Sequence, residues 1–269
     1  YKRQDYVTYA HQHNVEVWAL VSNLENPDVD TTQVLTHTST RENLTNNLIS
    51  AAIRYDLDGI NVDMEALSTD AGEGYIQFIR ELSIKCKKND LVLSIDNYVP
   101  SSYTAFYNRK EQSCFADYIV IMGYDEHYKG SEEAGSVASI DFVKNGIKDT
   151  LKEVSAEQTI LALPFYTRLW AETTGEDKKV TVTSEVVKMN NQQTVVNNSG
   201  ASPKWSDKYG QYYIEYQKDG KTYKMWMEES KSIEQKLKAA KKAKIAGTSV
   251  WKLGMEDPTV WDTIIKYVN

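Results

Sequence analysis

Residues 58–65 alternate strictly between two chemistries: Ile60, Val62 and Met64 are apolar, while Asn61, Asp63 and Glu65 are polar. A period of two is that of a β-strand. Successive side chains on a strand point to opposite faces, so an amide and two carboxyl groups share one face and the apolar residues share the other. Next-but-one residues on a strand stand about 7 Å apart. Taking such a row out of water is costly unless partners or a chemical task compensate. Crowding also pushes one carboxyl pKa upward, as a general acid at neutral pH requires. The plain alternative is a half-exposed antiparallel strand with a solvated polar face. The flanking sequence argues against it. Leu44, Leu48, Ile49, Ala52 and Ile53 recur at helical spacing after Thr40, which suits an N-cap, and Tyr75, Phe78, Ile79, Leu82 and Cys86 do the same beyond the strand. Strand alternating with helix implies a parallel sheet covered by helices, in which a polar face lines a barrel.

The same rhythm recurs along the chain. Residues 4–14 read as a helix and 15–21 as an apolar strand. Further strands are expected at 91–97, 117–123, 159–165 and 247–252. Residues 171–227 break the pattern and read as a small α+β insertion, with a short helix over 184–191. Two alternating runs, 212–216 and 223–227, flank Lys218-Asp219-Gly220-Lys221, and Asp-Gly between such runs signals a hairpin. The aromatic residues of the insertion suit packing better than sugar stacking. The lysine-rich stretch 231–244, with Ile233, Leu237 and Ala240 on one side, reads as an amphipathic helix whose lysines are solvated.

Four segments together resemble glycoside hydrolase family 18, the chitinase-like family. Residues 58–65 match its signature Asp-x-x-Asp-x-Asp-x-Glu at Asp58, Asp63 and Glu65, with Asn61 departing from it. Met122-Gly123-Tyr124-Asp125 resembles the end of the sixth barrel strand, Pro164-Phe165-Tyr166-Thr167-Arg168 the end of the seventh, and Trp251 the tryptophan of the eighth. The resemblance implies a (β/α)8 TIM-type barrel spanning residues 1–269 as one domain, with the 171–227 insertion following strand seven. It makes 15–21 strand three, so the first two strands are expected to be lacking from this chain, unless residues 1–14 hold a different element.

The resemblance also implies roles. Most glycosidases use two carboxyls, but family 18 is substrate-assisted: the N-acetyl oxygen of the sugar attacks the anomeric carbon. Glu65 is then the general acid and later the base, Asp63 holds the acetamido N–H, and Tyr124 donates to the acetamido oxygen. Trp251 floors the subsite, while Met122, Asp125, Tyr166 and Arg168 bind the sugar or its neighbours. Asp58 supports the strand from below, with a plain loop-to-strand hydrogen bond as its alternative. Asn61 is expected to hydrogen-bond Asp63 without adding charge, which simplifies the coupled titration. The asparagine form resembles two branches of the family, the spore-cortex and peptidoglycan N-acetylglucosaminidases of spore-forming bacteria and the lysosomal chitobiase-like enzymes, and local runs such as Tyr124-Asp125-Glu126-His127 favour the bacterial branch.

Composition narrows the classes. The chain has 269 residues, 41% hydrophobic and 26% charged, with a net charge of −7, which suits a globular domain and argues against nucleic acid and anionic lipid. No apolar stretch approaches a membrane span. Cys86 and Cys114 read as buried free thiols, a disulfide between them being the alternative. His11, His13 and His37 read as surface residues, and no metal or cofactor is expected. The expectation is a monomeric glycosidase acting on β-1,4 bonds of N-acetylglucosamine in peptidoglycan, secreted or cell-wall or spore-associated. A chitin or chito-oligosaccharide hydrolase is the alternative, and a glycan-binding lectin on the same barrel the third reading.

Overall fold

The computed structural model describes residues 2–267, in two compact units: residues up to 121 with 150–159, and 122–149 with 160 onward. The first unit holds helices α1 (Lys2–Gln12), α2 (Thr31–Thr36), α3 (Thr38–Tyr55), α4 (Gly72–Lys88) and α5 (Arg109–Gln112). Its strands are β1 (Trp18–Ser22), β2 (Gly59–Asp63), β3 (Val92–Tyr98) and β4 (Tyr118–Met122), neighbours in that order. β1 pairs parallel with β2, and β2 with β3 in the register Gly59↔Val92 to Val62↔Ile95. The strands fall within a few residues of where the alternation put them.

The core of this unit lies between the sheet and its helices. Ile60 and Val62 of β2 and Leu93 and Ile95 of β3 pack with Tyr75, Phe78, Ile79, Leu82 and Cys86 of α4. Each large apolar side chain buried this fully contributes about 1.5–3 kcal/mol, so the α4 stripe is the main force holding helix to sheet. Gly59 is needed where β2 begins, because a Cβ there would stand 2.7 Å from the Trp18 ring and 2.8 Å from the Val92 carbonyl. In α3 two expectations fail. The cap is His37 rather than Thr40, whose hydroxyl instead donates to the carbonyls of Val34 and His37 at 2.8 and 2.9 Å. Ile53 is exposed, because the helix buries a narrower stripe than its apolar spacing suggests. Cys86 is buried, but Cys114 is exposed and both are free thiols.

The second unit holds α6 (Ile140–Thr150), α7 (Gln192–Ser199), α8 (Ser230–Ala243) and α9 (Val260–Ile264). Strands β5 (Thr159–Pro164) and β11 (Gly247–Trp251) pair in parallel. Between them in sequence lie β6 (Tyr166–Thr174), β7 (Val180–Lys188), β8 (Lys204–Ser206), β9 (Gln211–Lys218) and β10 (Lys221–Trp226), which form an antiparallel sheet of order β7-β6-β10-β9-β8. That sheet starts at Tyr166, only two residues after Pro164. The expected hairpin is β9–β10, turning on Asp219 and Gly220, both at positive φ. The short helix expected over 184–191 is instead the end of β7 and a 3-10 turn at Met189–Asn191. Six of the eight residues 180–187 are β-branched, and nine register pairs tie residues 180–188 to β6.

Not every lysine of α8 is solvated. Lys236 is 1% exposed and donates to both oxygens of the fully buried Glu228, at 2.8 and 2.7 Å. Ser232 and Gln211 donate to the same carboxylate at 2.7 Å each. Burial raises the Glu228 pKa, and Lys236 opposes that rise. Among the described residues no helix is long and apolar enough to cross a membrane.

Candidate active site

The polar face of β2 is built as the alternation implies. Ile60, Val62 and Met64 are core residues, so pleating sends Asn61, Asp63 and Glu65 to the other side. Asp63 is 8% exposed and its Oδ1 atom is buried without a hydrogen-bond partner. Burial, then the nearby Glu65, lifts its pKa to about 6. Glu65 stands just past the strand on a chain held by Asn23: the Glu65 N–H donates to Asn23 Oδ1 and the Asn23 amide donates to the Glu65 carbonyl, both at 2.9 Å. Burial raises the Tyr98 pKa, the Ala66 hydrogen bond opposes the rise and the nearby Glu65 carboxylate adds to it. The Tyr98 hydroxyl accepts the Ala66 N–H at 3.2 Å. Tyr107 takes the Leu67 N–H at 3.2 Å, so two phenols fix the turn that follows the acid.

Asn61 does not bond Asp63. Its amide donates across to β3, to Ser94 Oγ at 2.9 Å and Asp96 Oδ1 at 3.1 Å. On a parallel pair the register neighbour is closer than the next-but-one residue of the same strand, which explains the preference. Asp96 is lifted to about 7, by burial first, with Asp63 and Glu65 adding to the rise and the Asn61 hydrogen bond opposing it. The site therefore holds a third acid that the sequence reading missed. Ser94, Asp96 and Tyr98 alternate with the core residues Leu93 and Ile95, so the period that exposes Asp63 would have exposed Asp96 as well.

Asp58 lies before β2 and ties loop to strand. Its Oδ2 accepts the Val17 N–H at 2.7 Å and His11 Nε2 at 2.8 Å. His11 is thus half-buried and paired rather than a free surface residue. The hydrogen bond to Asp58 raises the His11 pKa. The Asp58 pKa is lowered: burial opposes the drop, and the Val17 and His11 hydrogen bonds outweigh it. A cavity of about 790 Å³ lies away from the acid row, beside Arg41, Arg80 and Glu111. Both guanidiniums there are already paired, Arg41 with Glu81 and Arg80 with Glu111.

The second unit carries the remaining residues singled out in the sequence. Met122 is buried at the end of β4, and the following Gly123 N–H donates to the Ala162 carbonyl at 2.9 Å. Tyr124 meets Tyr166 edge-on, ring centroids 6.1 Å apart. The Tyr166 hydroxyl donates to Asp125 Oδ1 at 2.6 Å. Burial, then the Asp125 charge, pushes the Tyr166 phenol far up, so it stays a donor. Arg168, the third residue of β6, donates to Ser184 Oγ at 3.2 Å, and its Nε is buried without a partner. Trp251 ends β11 with its indole 39% exposed and Lys252 5.5 Å from the ring. Its carbonyl accepts the Phe165 N–H at 2.8 Å. Glu126 caps α6, accepting the Ser139 N–H and hydroxyl at 2.7 and 2.9 Å. Among the described residues no three His, Cys, Asp or Glu side chains are grouped to hold a metal ion.

Within the first unit a crowded acid row offers polar partners to hydroxyls, and within the second a phenol held as a donor and an exposed indole offer a polar and an apolar contact, each the kind of group that suits a sugar. An uncharacterised glycosylase of Bacillus subtilis, YvbX, is 28% identical over 97% of this chain and 77% of its own length. The cortical fragment-lytic enzyme of B. subtilis is 24% identical over 92% of this chain, which spans 59% of that enzyme. The crystal structure of a chitinase from Chromobacterium violaceum has the same fold, with a TM-score of 0.88, 22% identity and 98% of this chain and 84% of that one covered. The sequence profile of the glycosyl hydrolases family 18 matches residues 3–256, nearly the whole chain, and the protein belongs to that family.

Proposed function

We propose that this family 18 glycosidase cleaves the β-1,4 bond on the reducing side of N-acetylglucosamine in peptidoglycan, with retention and with the sugar's own acetamido group as nucleophile. The observation that carries the reading is Asp63: a carboxyl buried beside Glu65 with one oxygen free of partners. An acetamido N–H is a donor that such an oxygen can accept. That bond orients the carbonyl oxygen toward the anomeric carbon and offsets the positive charge that develops on the ring. Glu65 gives its proton to the leaving oxygen, then takes one from water to open the oxazolinium. In this reading Tyr124 donates to the acetamido oxygen and Trp251 underlies the reacting sugar, while Met122, Asp125, Tyr166 and Arg168 hold it or its neighbours. The likeness to the cortical fragment-lytic enzyme favours a spore or cell-wall glycan and so supports action outside the cytoplasm.

The test is digestion of purified spore cortex and, in parallel, colloidal chitin, with mass spectrometry of the products for the wild type and Glu65→Gln. Muropeptides ending in N-acetylglucosamine, falling about 10²–10⁴-fold with Glu65→Gln, are the expected result. Chitobiose release from chitin alone would move the protein to chitin hydrolysis. Binding without any product would make it a lectin.

A further inference from the structure

Asp96 has no role in the reading above, yet it sits in the middle of the acid row. β2 and β3 run in register from Gly59↔Val92 to Val62↔Ile95. Carried one residue further, that register sets Asp63 beside Asp96, on strands about 4.8 Å apart. Register neighbours in a parallel pair point to the same face, so both carboxyls belong to the polar row, and the Asp63 charge is felt at Asp96. Asn61 and Ser94 form the preceding pair on that face, and the Asn61 amide bonds both Ser94 and Asp96. One oxygen of Asp63 is left buried without a partner. The other titratable groups facing the pair are Glu65 and three phenols: Tyr98 of β3, Tyr75 of α4, and Tyr107. Burial raises all three phenols, so they stay neutral and add no charge to the row.

We infer that Asp63 and Asp96 hold one proton between them, and that Asp96 is a positioning residue for the reaction, acting through Asp63 and never touching the sugar. Two carboxylates this close and this dry cannot both ionise at little cost. When the acetamido N–H engages Asp63, the shared proton rests on a carboxyl oxygen of Asp96, and Asp63 carries the single negative charge. When the site is empty, the proton passes back in part to Asp63. The pair keeps one proton throughout, so nothing leaves the protein and no co-reactant is needed. Asn61, donating to Asp96, holds that carboxyl in place without adding charge. The directions of the two acids, Asp63 to about 6 and Asp96 to about 7, agree with this order of ionisation.

The inference rests on the proposed glycosidase reading for its consequence, but its first measurement needs no substrate. A carbon-13 NMR titration of the aspartate carboxyls in the full chain follows Asp63 and Asp96 directly. Two resonances that share the same two inflections are expected. Independent single-step curves would overturn the inference without bearing on the glycosidase reading. Asp96→Asn should then leave Asp63 with one step, about one pH unit lower, and move the acidic limb of kcat/KM down with it. The exchange variant Asn61→Asp/Asp96→Asn returns a carboxyl to the row and should bring that limb back up. A purely structural Asp96 would lower the rate at every pH and leave the limb where it stands. A coupled titration in a protein that hydrolyses no N-acetylglucosamine polymer would instead refute the proposed function and leave the proton pair standing.

Discussion

Tyr166 donates its hydroxyl to Asp125 at 2.6 Å, joining the first residue of β6 to the loop after β4. Asp125 is exposed and at positive φ, so its carboxylate owes its orientation to this phenol more than to packing. Tyr166→Phe removes the donor and keeps the ring against Tyr124. Water can replace the hydroxyl at an exposed carboxylate, so stability should change by no more than about 1 kcal/mol. Activity should suffer more, kcat/KM falling about tenfold as Asp125 loses its set position. Comparing thermal unfolding with kinetics checks both halves; equal loss in each would make the pair structural.

The raised acids predict how stability depends on pH. An aspartate in an unfolded chain titrates near about 3.9, while Asp63 and Asp96 titrate at about 6 and about 7. Between those limits the folded protein binds more protons than the unfolded one, so stability falls as pH rises from about 4 to about 7 and then levels. Replacing Asp96 by Asn should therefore add about 1–3 kcal/mol above the upper limit and little below the lower one. Urea unfolding of wild type and variant at both ends reads this out. An offset of the same size at both ends would show that ionisation is not its cause.

Lys236 should behave unlike every other lysine of α8. Its removal leaves Glu228 charged, fully buried and short of its counter-ion, a change worth about 3–5 kcal/mol. Lys238, about half-exposed in its pair with Glu234, should cost less than about 0.5 kcal/mol when changed to Ala. Denaturant midpoints of Lys236→Ala and Lys238→Ala make the comparison, and similar losses would contradict it.

Gly59→Ala tests the close approach at the start of β2. The added Cβ meets the Val92 carbonyl at 2.8 Å, a backbone atom that cannot swing aside, as well as the Trp18 ring. The expected cost is about 1–3 kcal/mol, visible in unfolding experiments. A neutral substitution would mean that the two strands part more easily than their register suggests.

Much of this was legible in the sequence because period and place coincide. The alternation of β2 names its buried and polar faces residue by residue, and Asp219-Gly220 marks the β9–β10 turn. What was missed depends on neighbours brought from far along the chain. Asn61 was expected to bond its strand mate Asp63, but its amide donates to Ser94 and Asp96 of β3 instead, and nothing within residues 58–65 announces them. Lys236 reads as one more solvated lysine until Glu228, eight residues back, is found buried beneath it. Residues 184–188 were misread because pairing with β6 outweighs local preference in a short segment. Cys114 is exposed for lack of a stripe that would bury it, unlike Cys86, which falls on one.

The reciprocal pair of hydrogen bonds between Asn23 and the main chain of Glu65 has a mechanical meaning. It nails the acid's backbone to the loop after β1, beyond the point where sheet pairing stops. Glu65 is then a boom on a fixed mast: its carboxyl sweeps only the arc its own torsions allow, and the mast does not drift. In the proposed reaction, leaving groups of different size would be met by turning the boom, so tolerance toward the departing sugar would reside in one side chain, while the sheet would set the distance from Asp63 to the reacting ring.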